Sequence, residues 1–119
     1  MNLETLHQYC ISKNGVTEHF PFDDDALVFK IGNKMYAITA LSSFEKGMPS
    51  VSLKCNPEKA AELRANHDDI QPGWHLNKVH WNTVKINAAV PDKMIFDLID
   101  HSYELVFSSL PKKIQSEFL

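Results

Sequence analysis

A chain of 119 residues is long enough for one domain with a real core and too short for two, and 44% hydrophobic with 23% charged residues excludes the disordered and membrane classes. The net charge of −3 runs against the strongly basic balance expected of a nucleic-acid binder. No apolar run reaches the roughly 18 to 20 residues of a spanning helix, and Met1-Asn2-Leu3-Glu4 has neither the basic nor the apolar region of a secretion leader, so a single cytoplasmic domain over residues 1–119 is expected.

Asn2 suits the cap of a first helix, with Leu3, Leu6, Cys10 and Ile11 on one face, and Asn14-Gly15 ends it through the left-handed conformation that glycine adopts readily. Residues 16–22 read as extended because Pro21 disfavours helix before it, and Phe20 and Phe22 are expected to pin the segment to the core. Asp23-Asp24-Asp25 reads as a turn. Residues 27–31 and 35–41 are β-rich runs joined by Gly32-Asn33-Lys34, a hairpin signature. Residues 42–49 read as a polar loop. Val51, Leu53 and Cys55 then alternate with Ser50, Ser52 and Lys54 as a half-buried third strand.

Asn56-Pro57-Glu58 combines a capping side chain, a proline where no amide hydrogen is missed and an acid at the positive end of the helix dipole, which starts a second helix with Ala60, Ala61 and Leu63 inward. Pro72-Gly73 turns the chain toward a late strand within residues 79–87. Pro91-Asp92 opens the longest helix, on which Met94, Ile95, Leu98, Ile99, Leu105 and Val106 form a broad apolar stripe. Leu110-Pro111 breaks it, and residues 112–119 add a last turn or two with Ile114 and Phe118 in register. The expected fold is α+β, with a single antiparallel sheet, helices packed on one face and the order α-β-β-β-α-β-β-α.

Residues 71–90 are the candidate site. Both tryptophans lie here, with His75, His80, Asn77, Asn82, Lys78 and Lys85 and no acid, a mixture suited to stacking and polar contact where a plain core strand would use Val, Ile and Leu. Strict alternation over 81–85 puts Trp81 outward and Asn82 inward, whereas a bulge near Asn82 would reverse them.

Four stretches carry a family signature: Gly15-Val16-Thr17-Glu18 leading to Phe20-Pro21-Phe22; the hairpin residues 27–31 and 34–37; Pro72-Gly73-Trp74-His75-Leu76-Asn77-Lys78 followed by His80-Trp81-Asn82-Thr83-Val84; and residues 100–106 with Leu110-Pro111-Lys112-Lys113. On these residues, which span nearly the whole chain, it resembles the MmcQ/YjbR family of small bacterial proteins, with Trp74 where the family commonly has Tyr. The resemblance implies a compact fold with a topology similar to type III secretion chaperones, and a role in DNA binding through a double wing of hairpins.

As a DNA interface the candidate site assigns Lys78 and Lys85 to phosphates, Asn77 and Asn82 to base edges or backbone, and Trp74 and Trp81 to stacking, with His75 and His80 among them; Lys54, Lys112 and Lys113 would widen the footprint. The competing reading is a protein- or peptide-interaction module, which a mildly acidic body with surface aromatics fits as well. A third reading consumes Trp74, His75, Asn77, His80 and Trp81, with His101 and Tyr103, in a buried polar network. No metal or other cofactor is expected, because His75, His80 and His101 match no zinc spacing. No enzyme is expected either, for want of a phosphate loop, a nucleophile elbow or HExxH. Cys10 and Cys55, outside any CxxC pair, read as buried thiols.

Overall fold

The computed structural model describes residues 1–119 and contains one six-stranded, wholly antiparallel sheet. The elements in chain order are α1 (Leu3–Ile11), β1 (Val16–His19), β2 (Ala26–Ile31), β3 (Lys34–Ala40), α2 (Leu41–Glu45), β4 (Ser50–Lys54), α3 (Pro57–Asn66), β5 (Ile70–Pro72), β6 (Trp81–Lys85), α4 (Asp92–Ser109) and α5 (Lys112–Glu117). In space the strands run β1-β2-β3-β4-β6-β5. The segment expected only to be extended is thus a fourth strand ahead of α3, and the expected polar loop begins with the short helix α2.

Local chemistry accounts for most boundaries. The Asn2 side chain accepts the Thr5 amide at the start of α1, and that of Asn56 accepts the Glu58 and Lys59 amides at the start of α3, with Pro57 in the first turn. The β2–β3 hairpin turns on Gly32 and Asn33, both at positive φ (55° and 66°), which a two-residue turn matched to the sheet twist requires. A bulge follows, for Phe29 pairs Ala37 whereas Lys30 pairs Met35, so Tyr36 is the extra residue.

The covered face of the sheet carries Leu27, Phe29 and Ile31 of β2, Val51 and Leu53 of β4 and Val84 of β6, packed against Leu6 and Cys10 of α1 and Ile95, Leu98, Ile99 and Val106 of α4 in one cluster. At roughly 1.5 to 3 kcal/mol for each fully buried large apolar side chain, this layer is the main source of stability. Inside α3 the inward positions are Ala60, Leu63 and Arg64, whereas Ala61, expected inward, is exposed. Phe20 and Phe22 are also exposed, at 47% and 66%, so the segment around Pro21 is not pinned to the core as expected.

Strands β3 and β4 pair through only two positions, Ala37 with Leu53 and Ile38 with Ser52. Beyond them a fully buried serine of α4 takes over, since Ser102 Oγ donates to the Tyr36 carbonyl (2.6 Å) and accepts the Lys54 amide (2.9 Å). Backbone groups freed by the bulge are satisfied in this way from the helix layer.

Candidate functional site

No helix covers the other face of the sheet. By strand alternation it presents Thr17 and His19 of β1, Val28 and Lys30 of β2, Ile38 and Ala40 of β3, Ser50, Ser52 and Lys54 of β4, and Thr83 and Lys85 of β6. Ala26, Ala40, Ser50 and Ser52 beside Ile38 leave a groove of about 1080 Å³ on this face, lined also by Phe22, Met48, Trp74, His75 and Leu76. Two hydroxyls in its floor are internally satisfied, those of Ser52 and Thr83 lying 2.8 Å apart across β4 and β6, with Thr83 Oγ1 accepting the Trp74 amide (3.0 Å). The interior holds no comparable space: the void lined by Cys55, Leu63, Asn82 and Leu98 is about 10 Å³, no more than one water.

Trp74 owes its position to a loop fastened at every turn. The Gly73 amide donates to the Trp81 carbonyl (2.8 Å), Lys78 Nζ donates to the Gly73 carbonyl (3.1 Å), and Asn77 Oδ1 accepts the Val79 and His80 amides. Arg64 reaches from α3 to the Lys78 carbonyl (3.0 Å). Glycine is required at 73 by close approach, because a Cβ there would stand 2.7 Å from Trp81 Cβ. Although its backbone is held so closely, the Trp74 side chain is 72% exposed, with its indole against the His75 ring at 4.6 Å in a T-shaped arrangement. His75 adopts φ 58°, one of three non-glycine residues in left-handed conformation. Of these, Asn33 belongs to the hairpin turn, while His75 and Asn87 line the groove.

The eight residues assigned to the candidate site therefore separate. Trp74, His75 and Lys85 line the groove. Asn77 and Lys78 are occupied in shaping the loop, and His80 is exposed beside them, with its carbonyl accepting the Cys55 amide (2.8 Å). Trp81 and Asn82 are withdrawn, at 8% and 3% exposure. The register of β6 on β4 is unbroken from Trp81 to Lys85, so no bulge reverses the facing: the amide points into the covered layer and the indole lies on the other side, beneath Gly73.

Asn82, expected to contact bases or backbone, is instead internal, accepting from Arg64 Nη1 (2.8 Å) and donating to the Ala60 carbonyl (3.4 Å). This pairing fastens α3 to the sheet and satisfies a charged group that partial burial would otherwise leave costly.

The expected buried polar network does not form as one unit. His101 Nε2 accepts the Asn56 amide (3.2 Å), while the Tyr103 hydroxyl donates to the Asn14 carbonyl (2.6 Å). Burial and the nearby Lys59 ammonium hold His101 below its ordinary value, against the opposing pull of Glu104. Both thiols are buried, and burial pushes that of Cys10 up to about 12. Lys112 and Lys113 stand on α5, whose Ile114 packs by Gly32, and do not border the groove. No three His, Cys, Asp or Glu side chains come together in a metal-binding group, and no helix is long and apolar enough to cross a membrane.

Phe22, Met48 and Ser52 join the site without having been assigned to it from the sequence. The exposed phenylalanine beside Pro21 and the β4 alternation of hydroxyl with aliphatic residues were the available signals.

Known proteins match this architecture along its length. The Escherichia coli K12 protein named uncharacterized protein YjbR is 36% identical over 113 residues, covering 95% of this chain and 93% of its own. Uncharacterized protein YbdF of Escherichia coli O157:H7 is 36% identical over 112 residues, or 94% and 89% of the two chains. Among solved structures, Deinococcus radiodurans protein DR2400, a DUF419 domain, superposes with a TM-score of 0.89 at 37% identity over 98% of this chain and 87% of its own. A Pseudomonas syringae protein gives 0.75 at 29% identity over 89% and 99%. With the YjbR family model matching residues 11–105 besides, the chain belongs to the YjbR family.

Proposed function

We propose that the protein is a non-catalytic binding module that holds a polypeptide segment in the groove on the open face of its sheet, with Trp74 as the anchor. The observation that carries this reading is the combination of a fastened backbone with a 72% exposed indole at the groove's edge. An indole left in water on a preorganised loop forgoes burial that a partner can restore, and little ordering entropy opposes its capture. Phe22 and Met48, also exposed, extend the apolar surface across the groove.

Charge favours polypeptide over nucleic acid as the ligand. Lys85 is the one cation lining the groove, and Asp23 and Asp25 line it too, whereas affinity for phosphates comes from several neutralised charges. One observation speaks for a second reading, single-stranded DNA: Lys30, Lys54 and Lys85 stand on the open face, and none of its strand positions is acidic. Three lysines beside an exposed tryptophan would give weak, salt-sensitive binding.

The test is selection of a random displayed peptide library on the immobilised protein, with Trp74→Ala as the control surface, and in parallel titration of labelled single-stranded and duplex oligonucleotides at low and physiological salt. Expected are peptides that lose about tenfold or more in affinity on Trp74→Ala. Oligonucleotide binding that weakens with salt and with Lys85→Ala, without any peptide enrichment, would replace this reading by the second.

A further inference from the structure

The groove is not electrically uniform along its length. Ala26 pairs Ala40, Ser50 pairs Lys85, and continuing the β3–β4 register places Ala40 beside Ser50, so these four residues form one row across β2, β3, β4 and β6. Three strand steps of about 4.8 Å make that row about 14 Å long. At its β2 end stands Asp23, whose Oδ1 accepts the Asp25 and Ala26 amides while its other oxygen accepts nothing. Its neighbour Asp25 is engaged by the Ser42 amide and hydroxyl, and Asp24 is exposed beside them. At the β6 end stands Lys85, largely exposed and held only loosely by Asp69 at 3.9 Å. Between the two ends the row is alanine and serine, without charge.

We infer that the bound segment is itself dipolar, with a cationic residue against Asp23 at one end and, at the other, an anionic residue against Lys85 next to an apolar or aromatic side chain against Trp74. This rests on the groove being the binding surface and adds the chemistry and direction of its occupant. An uncharged apolar segment would leave both end charges facing low-dielectric surface without a partner, whereas a segment of matching polarity pairs each and admits one orientation. The spacing of its charges reports its conformation: about four or five residues apart if extended, about nine if helical.

The experiment repeats the peptide selection on the full-length protein and on two variants that leave the scaffold intact. Asp23→Asn keeps the oxygen that accepts the two amides and removes the charge; Lys85→Glu reverses the charge at an exposed position. Wild-type protein should enrich peptides with Lys or Arg at one end and an aromatic residue close to Asp or Glu at the other. Asp23→Asn should lose the basic preference alone, and Lys85→Glu should exchange the acidic preference for a basic one, with wild-type-selected peptides binding it about tenfold more weakly. Enriched peptides with no charge pattern, or with the same pattern on all three proteins, overturn the inference and leave the groove reading standing. No enrichment over Trp74→Ala overturns both.

Discussion

The two faces of the sheet solve opposite problems with the same strands. On the covered face Leu, Ile, Val and Phe meet α1 and α4, and the buried polar atoms there, including Asn82 and Ser102, have partners. On the open face the same strands place Ala40, Ser50, Ser52 and Thr83 beside Ile38, the Ser52 and Thr83 hydroxyls bond one another, and the large exposed apolar side chains stand at the margins. A surface kept only soluble would use long charged residues in the middle. Small residues in the middle with Phe22, Met48 and Trp74 around them leave a shape for something else to fill.

If the faces divide stability from binding, substitutions should divide in the same way. The largest effect is expected in the covered layer: Ile95→Ala should cost about 2–5 kcal/mol in urea unfolding, and a loss below about 1 kcal/mol would show that α4 does not anchor the core. Asn82→Ala comes next, at about 1–3 kcal/mol, since it removes one of the two acceptors of the Arg64 guanidinium and the amide donor to the Ala60 carbonyl. In the same stretch Trp74→Ala should leave stability within about 0.5 kcal/mol while weakening peptide capture about tenfold or more. Equal destabilisation by these two changes would erase the distinction between the faces.

A smaller effect is expected from pH. With its folded value below the ordinary 6.5, His101 binds a proton more readily in the unfolded chain. Its contribution is therefore complete above about pH 6.5, declines as pH falls from there toward the depressed folded value, and levels off below it. His101→Gln, which retains an acceptor for the Asn56 amide, should flatten unfolding free energy against pH over that window; an unchanged slope would assign it to another group. Smallest of all is chemical reactivity: Cys10 should resist iodoacetamide in the native protein at neutral pH and react once unfolded.

Local signals made much of this fold legible. Gly32-Asn33 declares its hairpin, Asn56-Pro57 its helix start, and the α4 stripe its inward face, because each depends on residues within one or two turns. The candidate site was legible only in part. Richness in tryptophan, histidine and asparagine marks residues 71–90, yet the fate of each side chain depends on distant partners. Asn82 is claimed by Arg64, eighteen positions earlier, and the groove exists only because β4 lies beside β6, with β5 outside it. The misplacement of Phe20 and Phe22 has the same origin, since hydrophobicity predicts burial and only the tertiary fold decides which apolar residues remain outside.

Ser102 has a consequence beyond hydrogen-bond accounting. The sheet consists of two blades, β1-β2-β3 and β4-β6-β5, meeting at a two-residue seam, and the groove straddles it, with Phe22 and Asp23 belonging to one blade and Trp74 and Lys85 to the other. The serine ties the blades together from the helix layer at Tyr36 and Lys54, and the Thr39 hydroxyl donates to the Ser50 carbonyl (2.7 Å) at the other end, so side-chain hydroxyls brace both ends of the short seam that the groove crosses.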